Sequence, residues 1–255
     1  MPTLFSGVGV ALVTLFDDAG ALDAPATARL AAQLADLGVR AVLVAGTTGE
    51  AATLTPDERG GLIGAVREAL PAGVPVLAGT GAPSGRQAAE LTERAFDSGA
   101  DAALALSPPG VADPRPYYDR LAKAAAGRPL LAYHFPFASA PGVPVELLAD
   151  LPVTGLKDSS GDPARLLHEL EVFGGDLYTG SAALLTMCGA IGAAGALLAL
   201  ANAQPELCAA AFAGDGAAQL RLAAGERAAT EGFPAGVKRM VAERFGVSAV
   251  ARVGS

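Results

Sequence analysis

The chain has 255 residues, 51% apolar and only 17% charged, which excludes disorder as its main state and leaves two small domains or one large α/β domain. A net charge of −8 argues against recognition of nucleic acid or anionic membranes through a basic face. The two cysteines, Cys188 and Cys208, have no nearby histidine, so neither a zinc site nor a disulfide framework is expected and a reducing cytoplasm is the simpler location.

The N-terminal residues MPTLFSG lack the basic and apolar regions of a signal peptide. From there one unit recurs: a short apolar run, a Gly-rich or polar turn, then an amphipathic Ala/Leu stretch. Strands are predicted to begin near Gly7, Ala41, Val74, Ala102, Leu130, Val153, Asp176 and Gly195. Alternating βα units with continuously apolar strands mean a parallel sheet covered by helices, and eight of them predict a (β/α)₈ barrel. Helix starts are marked by a capping box at Thr55-Pro56-Asp57-Glu58, a second at Ser84 with Gln87, and Asp162-Pro163. Gly38, Gly99 and Gly127 suit left-handed helix ends.

Ala182 to Ala201 is almost wholly apolar and long enough to span a bilayer. It is rich in Ala and Gly and lacks flanking cations and aromatic anchors, so a buried helix followed by a buried strand is the better reading. A helix is expected near Ala203 to Ala213, then amphipathic stretches at Ala217–Thr230 and Pro234–Phe245, and a frayed tail from Val247 to Ser255. The predicted architecture is thus a barrel over residues 1–213 with a short C-terminal helical extension, 214–255, packed on it. The alternative fold, an open doubly wound sheet, would make Gly79-Thr80-Gly81 with Gly85 a dinucleotide fingerprint. The acidic residue expected after the next strand is missing, because Asp101 precedes that strand.

In a parallel barrel, function sits on the loops at the C-terminal ends of the strands. Lys157 ends strand six, and it is one of only three lysines against fifteen arginines. Lys123 and Lys238 lie in helices, where solvated charges are expected. A lysine held in a barrel mouth loses water, which favours the neutral, nucleophilic amine; the alternative is a structural ion pair with Asp158 or Glu50. Tyr133 ends strand five and could relay protons, or else fill a barrel layer. Gly46-Thr47-Thr48-Gly49 could cradle a carboxylate with backbone N–H groups and hydroxyls, or simply turn into the next helix. Glu50 more naturally ties down this loop than acts on substrate. His134 should face away from Tyr133, and His168 should be solvated, so a histidine-ligated metal or a Ser-His-Asp triad is not expected.

Taken in order, G-T-T-G-E after strand two, Y-x-x-P at strand five and K-D-S-S-G-D at strand six resemble the dihydrodipicolinate synthase / N-acetylneuraminate lyase family of Schiff-base-forming aldolases. The resemblance runs from about Gly7 to Asn202, with Leu198 where a Ser is usual in the strand-eight motif. It implies a barrel, a homo-oligomer (dimer or tetramer), and no metal or organic cofactor. It also implies a reaction between two small molecules, a 2-oxo acid and an aldehyde. Lys157 would form the Schiff base, Tyr133 would move protons, and Gly46, Thr47 and Thr48 would hold the pyruvyl carboxylate, with Gly180, Leu197 and Phe137 lining the pocket.

The departures bear on the substrate. The synthase usually has an Arg two residues after the strand-five Pro, but Pro136 is followed by Phe137 and Ala138. The Asn usual after the Tyr is His134, and the Tyr pair expected after strand four reads Pro109 and Gly110. Tyr117 and Tyr118 lie too far along to replace it. The expectation is therefore a 2-keto-3-deoxy sugar acid aldolase or a similar pyruvate aldolase. Two alternatives are 4-hydroxy-tetrahydrodipicolinate synthase itself and a catalytically weakened 2-oxo-acid-binding protein.

Overall fold

The computed structural model describes residues 2–254. Eight parallel strands close into a barrel in sequence order: β1 Gly7–Ala11, β2 Val42–Val44, β3 Val76–Gly79, β4 Ala102–Leu106, β5 Leu130–His134, β6 Gly155–Asp158, β7 Asp176–Thr179 and β8 Gly195–Leu198. The helices are α1 Ala24–Asp36, α2 Pro56–Ala69, α3 Gly85–Asp97, α4 Arg115–Ala125, α5 Pro163–Val172, α6 Leu185–Ile191, α7 Pro205–Phe212, α8 Gly216–Thr230 and α9 Ala235–Phe245. Closure comes from β1 and β8, where Gly7 pairs with Gly195 and Val10 with Leu198. A Cβ on Gly195 would lie 2.2 Å from the Gly7 carbonyl oxygen, so this seam requires glycine.

Local chemistry explains the helix boundaries. Thr55 accepts from the Glu58 N–H while the Glu58 carboxylate accepts from the Thr55 N–H, which completes the capping box of α2. Ser84 caps α3 and Asp162 caps α5. Gly38, Gly99 and Gly127 all have positive φ just beyond helix ends. In α1, Thr27, Ala28, Leu30, Ala31 and Leu34 form the buried stripe that packs on the barrel. The apolar segment at 182–201 resolves into α6 and β8, and no helix among the described residues is long and apolar enough to cross a membrane.

The glycines that suggested a nucleotide fingerprint are packing glycines. A Cβ on Gly79 would lie 2.1 Å from the Ala45 carbonyl oxygen, and one on Gly81 would lie 2.7 Å from the Leu106 nitrogen. They let β3 and its loop press against their neighbours. Inside the barrel, Leu43, Leu77, Leu104, Leu131 and Leu197 pack in one cluster. Its N-terminal end is plugged by Phe5, stacked on Tyr178 at 4.4 Å.

Two expectations fail at the C-terminus. Lys238 on α9 is not solvated: it is fully buried and ion-paired with Glu50, and its Nζ also donates to the Val250 carbonyl at 2.6 Å. Nor is the segment after Val247 frayed, as far as the described residues reach; Ser255 lies outside them. The N–H groups of Arg252 and Val253 donate to Glu50 Oε2 at 2.7 and 2.8 Å. The Arg252 guanidinium grips Glu58 with two bonds, at 2.7 and 3.1 Å. That grip, with the cap at Thr55, lowers the Glu58 pKa to about 2.

A buried charge left without its partner is costly, so Lys238→Met should destabilise the fold by about 3–5 kcal/mol. Adding Glu50→Gln should recover part of that loss. Urea denaturation midpoints check this, and a single-variant loss no greater than that of a surface lysine would contradict the buried pair.

Candidate active site

Parallel pairing sets Tyr133 of β5 opposite Lys157 of β6. Both side chains are turned into the barrel mouth and are buried, at 6% and 5% exposure. The Lys157 Nζ lies 4.4 Å from the centre of the Tyr133 ring. Neither ion pair that could have made Lys157 structural is formed. Asp158 faces Arg165, with 3.6 Å between Oδ2 and Nε, and Glu50 pairs with Lys238. Among the described residues the Lys157 ammonium and the Tyr133 hydroxyl have no hydrogen-bond partner in the protein. Buried polar groups are normally paired, so two side by side in one cavity are available to a ligand.

Gly180, after β7, explains how the lysine fits. A Cβ there would lie 1.8 Å from Ser159 Oγ and 3.0 Å from Lys157 Cε. The missing side chain leaves room for the lysine stem.

The G-T-T-G turn follows β2 and is bounded by left-handed backbone at both ends, with φ of 51° at Ala45 and 56° at Glu50. Such conformations cost energy for non-glycine residues and persist only where surrounding structure holds them. The hold on Glu50 is the Lys238 ion pair and the two N–H groups of the C-terminal segment. At the other side, Thr14 Oγ1 donates to the Gly49 carbonyl at 2.7 Å. The N–H groups of Thr47 and Thr48 donate to no protein acceptor among the described residues. Gly46 differs from its neighbours: it does not line the cavity, and its carbonyl accepts from Ala51.

Thr47, Thr48, Tyr133, Lys157, Gly180 and Leu197 line one cavity of about 420 Å³. Phe137 lines it too, although it is 85% exposed, so it stands at the rim. The sequence reading did not find the remaining lining. Ser159, Ser160 and Ser181 come from the loops after β6 and β7, and Phe135 stacks on Tyr133 at 5.8 Å. Glu226, Ala229 and Thr230 of α8 and Phe233 beyond it also line the cavity. Ser159 and Ser160 could have been read from the K-D-S-S motif, but nothing local in the sequence of α8 marks it as a wall.

The expected bystanders lie outside. His134 faces away from the cavity, and its Nδ1 accepts from the Val143 N–H at 2.9 Å. Burial and the Arg165 charge lower its pKa to about 4, against the opposing pull of Asp158, so it stays neutral. His168 is exposed. The Tyr117 and Tyr118 hydroxyls donate to the carbonyls of Leu106 and Ala105 behind β4. Asn202, in the strand-eight motif, is structural: its side chain accepts from the Val13 N–H and donates to the Ala11 carbonyl, tying β8 to β1. No cluster of three or more His, Cys, Asp or Glu among the described residues could hold a metal.

Behind β6 sits a second set of charges. Glu169 is fully buried, with Arg165 Nε 2.7 Å from its Oε1 and no hydrogen-bond partner aligned with either oxygen. Burial, then the Asp158 charge, push its pKa up to about 8 against the opposing pull of Arg165.

A model of the dihydrodipicolinate synthetase family matches residues 4–249. The chain is 37% identical over 229 residues to the 4-hydroxy-tetrahydrodipicolinate synthase of Pseudomonas aeruginosa, covering 84% of this chain and 78% of that one. It is also 37% identical over 216 residues to an uncharacterised DapA-like lyase of Halobacterium salinarum, covering 81% and 70%. Its fold superposes on the chloride-inhibited dihydrodipicolinate synthase of Acinetobacter baumannii, complexed with pyruvate, with a TM-score of 0.86 at 28% identity over 98% and 94% of the chains.

The buried acid behind β6 makes stability depend on pH. Because the folded pKa of Glu169, about 8, lies above the ordinary 4.5, the protonated form is the favoured one. Its contribution is complete below about pH 4.5 and is lost as pH rises through 8. Wild type should therefore lose stability relative to Glu169→Gln between about pH 5 and pH 9, by on the order of a few kcal/mol. Urea denaturation at the two pH values measures this, and a difference that does not change with pH would contradict the assignment.

Proposed function

We propose, for a chain that belongs to the dihydrodipicolinate synthetase family, a class I aldolase reaction in which Lys157 forms a Schiff base with pyruvate or a pyruvyl substrate. Members of this family are pyruvate-dependent lyases and aldolases, so the chain is an enzyme of that class. The observation that carries the residue assignment is the buried, unpaired Lys157 amine beside an unpaired Tyr133 hydroxyl and the free N–H groups of Thr47 and Thr48.

The amine of Lys157 attacks C2 of the 2-oxo acid to give a carbinolamine. Loss of water leaves an iminium, which accepts the electron pair of the C–C bond one carbon away. Cleavage then releases an aldehyde and leaves an enamine; addition runs the same steps in reverse. The Tyr133 hydroxyl gives its proton to the departing carbinolamine oxygen and is reprotonated by the proton that the substrate's hydroxyl loses as the aldehyde forms. The pyruvyl carboxylate rests on the Thr47/Thr48 turn, whose fixed N–H groups need no reorganisation as charge moves. An unpaired amine held beside a fixed anion cradle is what raises reactivity here, because both groups meet one ligand without reorganisation.

For the second half of the substrate we favour a 2-keto-3-deoxy sugar acid or a similar neutral aldehyde. Among the described residues no arginine lines the cavity, and Phe137 occupies the position after Pro136. The alternative is 4-hydroxy-tetrahydrodipicolinate synthesis, favoured by the name of the Pseudomonas relative. Kinetics of pyruvate with a panel of aldehydes separate them: a clear preference for aspartate semialdehyde sinks the sugar-acid reading.

Incubation with pyruvate followed by borohydride should leave a reduced pyruvyl adduct on the Lys157 peptide, detected by mass spectrometry and lost in Lys157→Ala. Tyr133→Phe should slow turnover by about 10²–10⁴-fold. An adduct on another lysine, or none with any 2-oxo acid, would refute the Lys157 assignment.

A further inference from the structure

The cavity has two ends of different chemistry. Lys157, Tyr133 and Thr48 form one. The other is built from an aromatic wall and from α8. Phe135 stacks on Tyr133 with an interplanar angle of 14°, and Phe137 meets Phe135 edge-on at 6.2 Å. Thr230, Phe233 and Glu226 line the same cavity.

Among the described residues, Lys157 and Glu226 are the only formally charged ones lining this space. Lys157 is accounted for by the Schiff base. Among the described residues the Glu226 side chain forms neither an ion pair nor a hydrogen bond, although, after burial, its charge helps push up the Cys208 thiol of α7. It is partly buried, and burial raises its pKa. Its location is fixed by the residue before it. A Cβ on Gly225 would lie 2.4 Å from Gln204 Oε1, so α8 packs here against the Gln204 side chain at the start of α7. An acid without a hydrogen-bond or ion-pair partner among the described residues thus lines the same cavity as Lys157.

We propose that Glu226 is the specificity-determining residue for that half, accepting hydrogen bonds from the hydroxyls of a neutral hydroxylated aldehyde and repelling aldehydes that carry a carboxylate or phosphate. The proposal rests on the Schiff-base reading of Lys157. Its physical basis is a partly buried acid without an ion-pair partner among the described residues, lining the space above the reacting amine. A hydroxyl can donate to such a group, whereas an anion meets uncompensated like charge.

The test uses the full chain and two probe aldehydes, glyceraldehyde (neutral, hydroxylated) and succinic semialdehyde (anionic), each with pyruvate. Wild type should prefer glyceraldehyde in kcat/KM. Glu226→Gln keeps the size and a hydrogen-bonding carbonyl but removes the charge, so it should lower that preference about tenfold, chiefly by raising kcat/KM for the anionic aldehyde. Glu226→Ala should lower the preference too, but mainly through a higher KM for glyceraldehyde. Circular dichroism melts establish that each variant is folded. A preference that stays within twofold of wild type in both variants, or a wild type that prefers succinic semialdehyde, overturns the proposal. If wild type also yields no borohydride-trapped pyruvate on Lys157, the Schiff-base reading fails and this proposal with it. A trapped adduct with unchanged selectivity overturns the Glu226 assignment alone.

Discussion

The pairing of β5 with β6 is the constraint on which the site depends. With Tyr133 opposite Lys157, the inward face of both strands carries an amine and a phenol, and the outward face carries His134 and Asp158. A slip of one residue in β6 would exchange the faces. Lys157 would then meet Arg165, and Asp158 would enter the barrel. The outward cluster therefore helps define the inward one. Asp158 accepts from the Ser160 N–H and hydroxyl and faces Arg165, while the Gly180 N–H donates to its carbonyl at 2.6 Å. These contacts fix the end of β6 from behind and bring up the residue that makes space for the lysine stem.

The second anchor is Glu50. A turn bounded by two left-handed residues is not a low-energy conformation for Ala45 and Glu50, and the rest of the fold must hold it. The hold comes from the far end of the chain, through Lys238, Arg252 and Val253. The same C-terminal region supplies α8, which walls the cavity. The helices after β8 thus contribute to the site twice, once by fixing the Thr47/Thr48 turn and once by shaping the space above Lys157.

Much of this was legible in the sequence, because it is encoded locally. Eight apolar runs with turn and cap signals define a barrel, and each functional loop follows its own strand. Lys157 stood out because the chain has so few lysines and because it ends an apolar strand. What escaped is long-range. Lys238 reads as a surface lysine on an amphipathic helix, since its partner lies in the loop after β2. The docked tail is held largely by backbone N–H groups, which leave no mark in a sequence. Glu226 belongs to a helix with many small residues and little contrast between its faces, so nothing nearby shows that it meets the barrel mouth. Gly79 and Gly81 misled for the opposite reason: a glycine motif that suits phosphate binding also suits close packing of strand ends.

The most direct test of the central claim, that Lys157, Tyr133 and the Thr47/Thr48 turn act on one molecule, is a crystal structure of the protein soaked with pyruvate. Density should run unbroken from Lys157 Nζ to C2 of the ligand, with its carboxylate on the N–H groups of Thr47 and Thr48 and the Tyr133 hydroxyl within hydrogen-bond distance. Pyruvate bound elsewhere, or held at Lys157 with its carboxylate turned away from that turn, would contradict the claim.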